Sequence, residues 1–182
     1  LILSVSGGAV PMAISVLVAS YTAGGDPAKG KRLTVGALVI MLATGAAVSV
    51  ALILLGGFVA SLQGAPEASK GYYAIAPSVL LVSGIAVLKG YFQGRRNMFP
   101  TALSQVTEAF GKLIFGLLFA WILLPESTEY AVAGALIGVT VGEGATFLIL
   151  ILRFVLKEKD GLSVPPVKEA RELYKEILRI SV

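Results

Sequence analysis

PTALSQVTEAFGKLIFGLLFAWILL, residues 100–124, is an apolar stretch with one carboxylate and one ammonium set inside it. As an α-helix it measures about 37 Å at 1.5 Å per residue, enough to cross the ~30 Å hydrocarbon core of a bilayer. A barrel strand would need only about ten residues. Glu108 and Lys112 are spaced i, i+4 with the acid first, the favourable order for a helical ion pair. Thr101 and Gln105 extend the same face, because these positions recur three or four residues apart, and Ser104 borders it. Counted from Pro100, Lys112 lies ~18 Å into the helix, too deep for its stem to reach the surface. Beyond it, LIFGLLFAWILL holds no side-chain polar atom except the Trp121 indole. The face is therefore polar from one end to mid-span and apolar thereafter. Two readings are open: a water-accessible cavity closed halfway, or a buried ion pair that ties helices together. Both keep the pair off lipid, where a central charge costs at least ~2.5–3.5 kcal/mol.

The rest of the chain has the same character. Its 182 residues are 56% hydrophobic and 14% charged, with mean hydropathy +0.86, against roughly a quarter charged in soluble domains. Five apolar runs are long enough to span a bilayer, at about 1–20, 33–62, 72–93, 100–124 and 130–156. The connectors YTAGGDPAKGKR, QGAPEASKG, GRRNMF and PESTE hold the Gly, Pro and charge that end helices. The expected fold is all-α, a polytopic transmembrane helical bundle over residues 1–156. Residues 157–182 read as a cytoplasmic linker, KEKDGLSVPP, and an amphipathic helix with Val167, Ala170, Tyr174, Ile177 and Leu178 on one face. The chain begins with Leu1, as a processed or truncated product would.

Charge placement gives the orientation. Lys29, Lys31, Arg32, Arg95, Arg96 and the seven bases from Arg153 onward fall on one side, whereas the opposite connectors hold only Lys70 beside Glu67, Glu126 and Glu129. The excess of Lys and Arg puts that side, and the C-terminus, in the cytoplasm.

Three further features lie inside the runs. Lys89, a turn or two from Arg95, either snorkels to the cytoplasmic surface or faces a cavity. Glu143 sits mid-run beside Gly134, Gly138 and Gly142, a repeated G-x-x-x-G that lets another helix approach closely; it either bonds to that neighbour or faces the cavity. Gly7, Gly8 and Pro11 interrupt the first run, so a kink or local unwinding, a hinge, is expected there. With neither His nor Cys in the chain, disulfides, thiolate chemistry and the common metal ligands are excluded, and no cofactor or metal is expected.

The stretch GYFQGRRNMFPTALSQVTE, residues 90–108, resembles the stage V sporulation protein B family, polysaccharide-biosynthesis membrane proteins of the multidrug/oligosaccharidyl-lipid/polysaccharide exporter superfamily, which includes lipid II flippases. GGAVPMAISVLVASYTAGGDPAKGKR, residues 7–32, is similar to that family's second helix and the loop after it. The resemblance runs along nearly the whole chain. It implies two helical lobes facing a central cavity, with this chain as helices two to six of the N-terminal lobe, and the first helix and second lobe absent. Such a protein is a plasma-membrane flippase for lipid-linked oligosaccharide or peptidoglycan precursors, working by alternating access and not as an enzyme.

On that reading Thr101, Gln105, Glu108, Lys112 and Glu143 are the substrate-binding candidates, with Lys112 attracting the pyrophosphate. Lys89, Arg95 and Arg96 are headgroup or cytoplasmic bases. Expected partners are the lipid-linked glycan, membrane lipids and the second lobe, not nucleic acid. A cation-coupled multidrug exporter using Glu108 or Glu143 is the alternative within the superfamily. A scaffold subunit binding a partner helix on the glycine face of the fifth run is the alternative from another class. The loops are too short to build a catalytic site.

Overall fold

The computed structural model describes residues 2–157, and side chains from residue 10 to 156. These fold into five α-helices: α1 (Ile2–Ala23), α2 (Pro27–Leu62), α3 (Ser69–Gly94), α4 (Met98–Leu123) and α5 (Thr128–Lys157), with a 3-10 turn at Pro66–Ala68 before α3. No strand occurs among the described residues. The helical tail expected after residue 157 lies outside them. Four helical segments, Pro27–Leu62, Pro66–Gly94, Met98–Leu123 and Thr128–Leu156, are long and apolar enough to cross a membrane. The chain is a multi-pass membrane protein. Phe58, Leu54 and Trp121 are each more than 60% exposed, an arrangement costly in water and free of cost in hydrocarbon.

The helix ends follow from local chemistry. α1 closes where Asp26 N–H reaches the Tyr21 carbonyl at 3.0 Å, with Gly25 at φ +82°, the six-to-one closure that favours a residue without Cβ. α2 closes in the same way, through Ala65 N–H to the Ala60 carbonyl at 3.1 Å and Gly64 at φ +71°. At the end of α3 the bond is Asn97 N–H to the Phe92 carbonyl at 3.0 Å, but the left-handed position is held by Arg96 at φ 55°. The side chain of Asp26 accepts from Lys29 N–H at 3.2 Å, which caps α2 with Pro27 at its first position. PAKGKR is therefore helix rather than connector, and α2 begins six residues before the apolar run does. Ser127 Oγ caps α5 by accepting from Tyr130 N–H at 3.3 Å.

The helices divide between two compact units. The first takes α1, α2 to Met41, α3 from Gly84, α4 to Leu103 and α5 from Ile149. In it α1 meets α3 backbone to backbone: a Cβ on Gly90 would stand 2.6 Å from the Pro11 carbonyl oxygen, and one on Gly94 2.6 Å from that of Ser15. α1 runs as continuous helix through Gly7, Gly8 and Pro11, so the local unwinding expected there does not occur. Tyr91 and Phe154 fill the middle of this unit edge to face, centroids 4.8 Å apart.

The second unit takes α2 from Leu42, α3 to Ser83, α4 from Ser104 and α5 to Leu148. Hydroxyls stitch it together. Ser49 Oγ donates to the Ala76 carbonyl at 2.6 Å, and Thr140 Oγ1 to that of Ala74 at 3.1 Å. Lys70 pairs with Glu129 at 2.8 Å, its Nζ 3.8 Å from the centroid of Tyr130.

Candidate functional site

The site is a consequence of how closely α4 and α5 approach. A Cβ on Gly111 would stand 2.7 Å from Gly142 Cα, and one on Gly142 2.8 Å from Lys112 N. One turn away Gly138 abuts Gly116 still more closely, and a Cβ on Gly134 would meet the Phe119 carbonyl oxygen at 2.7 Å. The G-x-x-x-G face of α5 is thus covered by α4 of the same chain, and is not free for the foreign helix that a scaffold subunit would bind there. Thr146, fully buried, donates to the Gly142 carbonyl at 2.9 Å and lies 3.4 Å from that of Ser104, which fixes the crossing.

With the two backbones in contact, the side chain after Gly142 meets the one after Gly111. Lys112 Nζ lies 2.8 Å from Glu108 Oε1 and 3.2 Å from Glu143 Oε1. All three residues belong to the second unit. Lys112 is about 21 Å from the Met98 end of α4, and Glu143 about 22 Å from the Thr128 end of α5, at 1.5 Å per residue. Two carboxylates therefore share one ammonium near the middle of both helices. Their exposure differs: the side chain of Glu108 is 25% exposed, that of Lys112 34% and that of Glu143 5%. Among the described residues Glu143 Oε2 has no hydrogen-bond partner. The Ser78 hydroxyl of α3, itself buried, lies beside this carboxyl.

The other candidates scatter. Thr101 is buried and belongs to the first unit, whereas Gln105 is exposed in the second. Lys89 is half-buried. Arg95 Nη1 donates to the Tyr91 hydroxyl at 2.9 Å, and Arg96 is exposed. Sequence reasoning took Lys31 only as an orienting charge, yet it is 2% exposed with its Nζ 5.8 Å from the centre of the Phe154 ring. The Asp-Pro start of α2 was the signal, since it places Lys31 in the helix rather than in a loop. Ser78 was missed because nothing local distinguishes it.

A groove of about 560 Å³ in the second unit, lined by Tyr72, Ile75, Val132 and Leu136 among others, contains none of the Glu108–Lys112–Glu143 cluster. Its walls are mostly apolar, with the carboxylates of Glu67 and Glu129 also in the lining. No cluster of three or more His, Cys, Asp or Glu able to hold a metal occurs among the described residues.

Comparison with known proteins places this architecture. Stage V sporulation protein B of Bacillus subtilis is 32% identical over 180 residues, covering 95% of this chain and 34% of that protein. Lipid II flippase MurJ of the same organism is 28% identical over 89% of this chain and 32% of its own length. A membrane protein of B. subtilis called YabM is 33% identical over 59% of this chain and 21% of its own. The chain spans about a third of the length of the first two relatives. No solved structure matches it. The model of the family described as polysaccharide biosynthesis protein matches residues 9–182, a range that takes in α2 to α5, most of α1 and the whole charged cluster. The chain belongs to that polysaccharide biosynthesis protein family.

Proposed function

We propose that this chain is part of a plasma-membrane flippase that moves a lipid-linked oligosaccharide or peptidoglycan precursor from the inner to the outer leaflet by alternating access. The observation that carries the proposal is a mid-span ammonium, Lys112, that stays one-third exposed while two carboxylates hold it. The description of the family and the name of the lipid II flippase relative support this class of substrate. A large anionic headgroup cannot cross hydrocarbon unaided, so it needs a wet polar path past which the lipid tails slide. Gln105 and Glu108 lead along α4 to Lys112, which attracts the pyrophosphate; Glu108 and Glu143 hold the ammonium in place until the headgroup arrives and take it back on release. The bases Arg95 and Arg96 face the cytoplasm, as does the C-terminus, and gather anionic headgroups there. A second lobe of the same polypeptide closes the path, and rocking of the lobes completes transport. Pro11, with Gly7 and Gly8, is the bending point on this side.

The test is flipping of the lipid-linked precursor by the full-length protein carrying Lys112→Gln. Loss of transport at normal expression is expected. Wild-type rates would remove Lys112 from the mechanism.

A further inference from the structure

We propose that Glu143 is a proton-binding site at mid-span, its Oε2 carrying the proton, and that protonation there strengthens the grip of Lys112 on an anionic headgroup. The second half rests on the flippase reading; the first does not.

Charge arithmetic comes first. With every group ionised, Glu108, Lys112 and Glu143 carry a net charge of −1 in a low-dielectric layer, where an uncompensated charge is costly. One added proton makes the cluster neutral. The groups facing Glu143 leave little choice of where it goes. From α4 come Lys112 and Glu108; from α3 comes only the Ser78 hydroxyl; α5 itself adds no other ionisable group within a turn. Glu108 is the more exposed acid and the nearer to the ammonium. Glu143 is 5% exposed and farther from Lys112, and among the described residues its Oε2 has no hydrogen-bond partner. A buried carboxylate oxygen without a donor is an unmet acceptor; once protonated it is a donor, with the Ser78 hydroxyl oxygen beside it to receive the bond. A metal cation fits poorly, because hard cations take about six or more oxygens and no group of three or more carboxylates that could hold one occurs among the described residues.

The consequence for the headgroup is a linkage. When Glu143 is ionised, Lys112 answers to two carboxylates. When Glu143 is neutral, Lys112 is held by Glu108 alone and interacts more strongly with an arriving phosphate. By reciprocity, a bound phosphate at Lys112 favours the proton on Glu143. Proton and headgroup therefore bind together and leave together.

Infrared difference spectra of the full-length protein between acid and alkaline pH test the site directly. The carbonyl stretch of a buried neutral carboxylic acid, set apart from that of hydrated surface carboxyls, is expected in the wild type, is shifted in Glu143→Asp and is absent in Glu143→Gln. In Glu108→Gln, whose Lys112–Glu143 pair is neutral without a proton, it is expected only at more acid pH. Absence of the band in the wild type, or its survival in Glu143→Gln, overturns the assignment. So does a band abolished by sodium at constant pH. Should Glu143→Gln not fold, the shift in Glu143→Asp decides. Binding of farnesyl pyrophosphate, as a short-chain probe, tests the linkage. The wild type is expected to lose about tenfold in affinity as Glu143 ionises, beyond any change that Glu143→Gln shows over the same pH range. Equal pH dependence in both proteins overturns the linkage. A correct infrared result together with wild-type flipping by Lys112→Gln would remove Lys112 from the mechanism and leave the proton site intact, whereas no flipping by the wild type itself would sink the flippase reading.

Discussion

Alanine at three glycines of α5 separates close helix packing from helix propensity. At Gly142 the new Cβ would stand 2.8 Å from Lys112 N, 3.1 Å from Gly111 C and 3.3 Å from Gly111 Cα, all backbone atoms, where ordinary contact begins at 3.4 Å. Backbone of a packed helix cannot rotate away as a side chain can, so α5 must back off α4 by several tenths of an ångström. Overpacking of this kind costs about 1–3 kcal/mol, offset by up to about 1 kcal/mol because alanine is the better helix former. At Gly138 the contacts with Gly116 are tighter still, and the cost is larger. At Gly144 the nearest atom is Leu81 Cδ1 at 3.9 Å, so only the propensity gain remains. The expected order of stability is Gly144→Ala, then wild type, then Gly142→Ala, then Gly138→Ala. Thermal unfolding of the full-length protein in detergent, followed by helical circular dichroism, measures it. If Gly142→Ala melted at the same temperature as Gly144→Ala, backbone contact between α4 and α5 would not be what positions Glu143 against Lys112, and the reasoning would fail.

Other perturbations give sharp expectations. Lys112→Gln leaves two carboxylates without a cation and lowers the melting temperature, while Lys112→Gln with Glu143→Gln recovers part of the loss; a double-mutant cycle should return a coupling of about 0.5–3 kcal/mol, toward the lower end because Lys112 is one-third exposed. Arg96→Gly relieves a left-handed residue at φ 55° and should raise stability by about 1 kcal/mol, read from the same melts; no gain would mean that the Arg96 side chain contributes as much as the strain costs. The Asp26 carboxyl is held below its ordinary value of 3.8, first by the side-chain hydrogen bond with Lys29 and then by the Lys29 backbone N–H. A depressed carboxylate stabilises above its unfolded-state value and loses that contribution as pH falls through the folded one. Asp26→Asn should therefore melt slightly below the wild type at neutral pH and together with it once pH has fallen below the folded-state value; a gap that persists in acid would contradict the cap-and-pair assignment.

How much of this was legible beforehand varies by element. The membrane character and the helix class were plain, because a run such as residues 130–156 admits neither a strand nor a soluble helix. The Glu108–Lys112 pair was also plain, since i, i+4 spacing is a local property of one helix. The G-x-x-x-G of α5 announced a close neighbour but not which one. Only the matching glycines at 111 and 116, which meet it in space, identify α4. Glu143 was left between two roles for the same reason: its partner is 31 residues away in sequence, and no periodicity reports a contact between helices. The start of α2 was misplaced because hydropathy begins at Leu33, whereas the helix begins at its cap, Asp26. Thr101 and Gln105 share the helical phase of Lys112, yet one is buried and the other exposed. Phase orders the residues around a helix without telling what each one meets.

The four residues Leu124–Ser127 that join α4 to α5 also set a sequence of events at the ribosome. Chains enter the bilayer from the N-terminus onward, and α4 carries its own counter-charge, so it can partition before anything packs on it. α5 has no cation within a turn of Glu143; its acid finds a counter-charge in Lys112, which is already in place. Reversing the order, as a circular permutant opening with α5 would, strands that acid during biogenesis even though the finished contacts are the same.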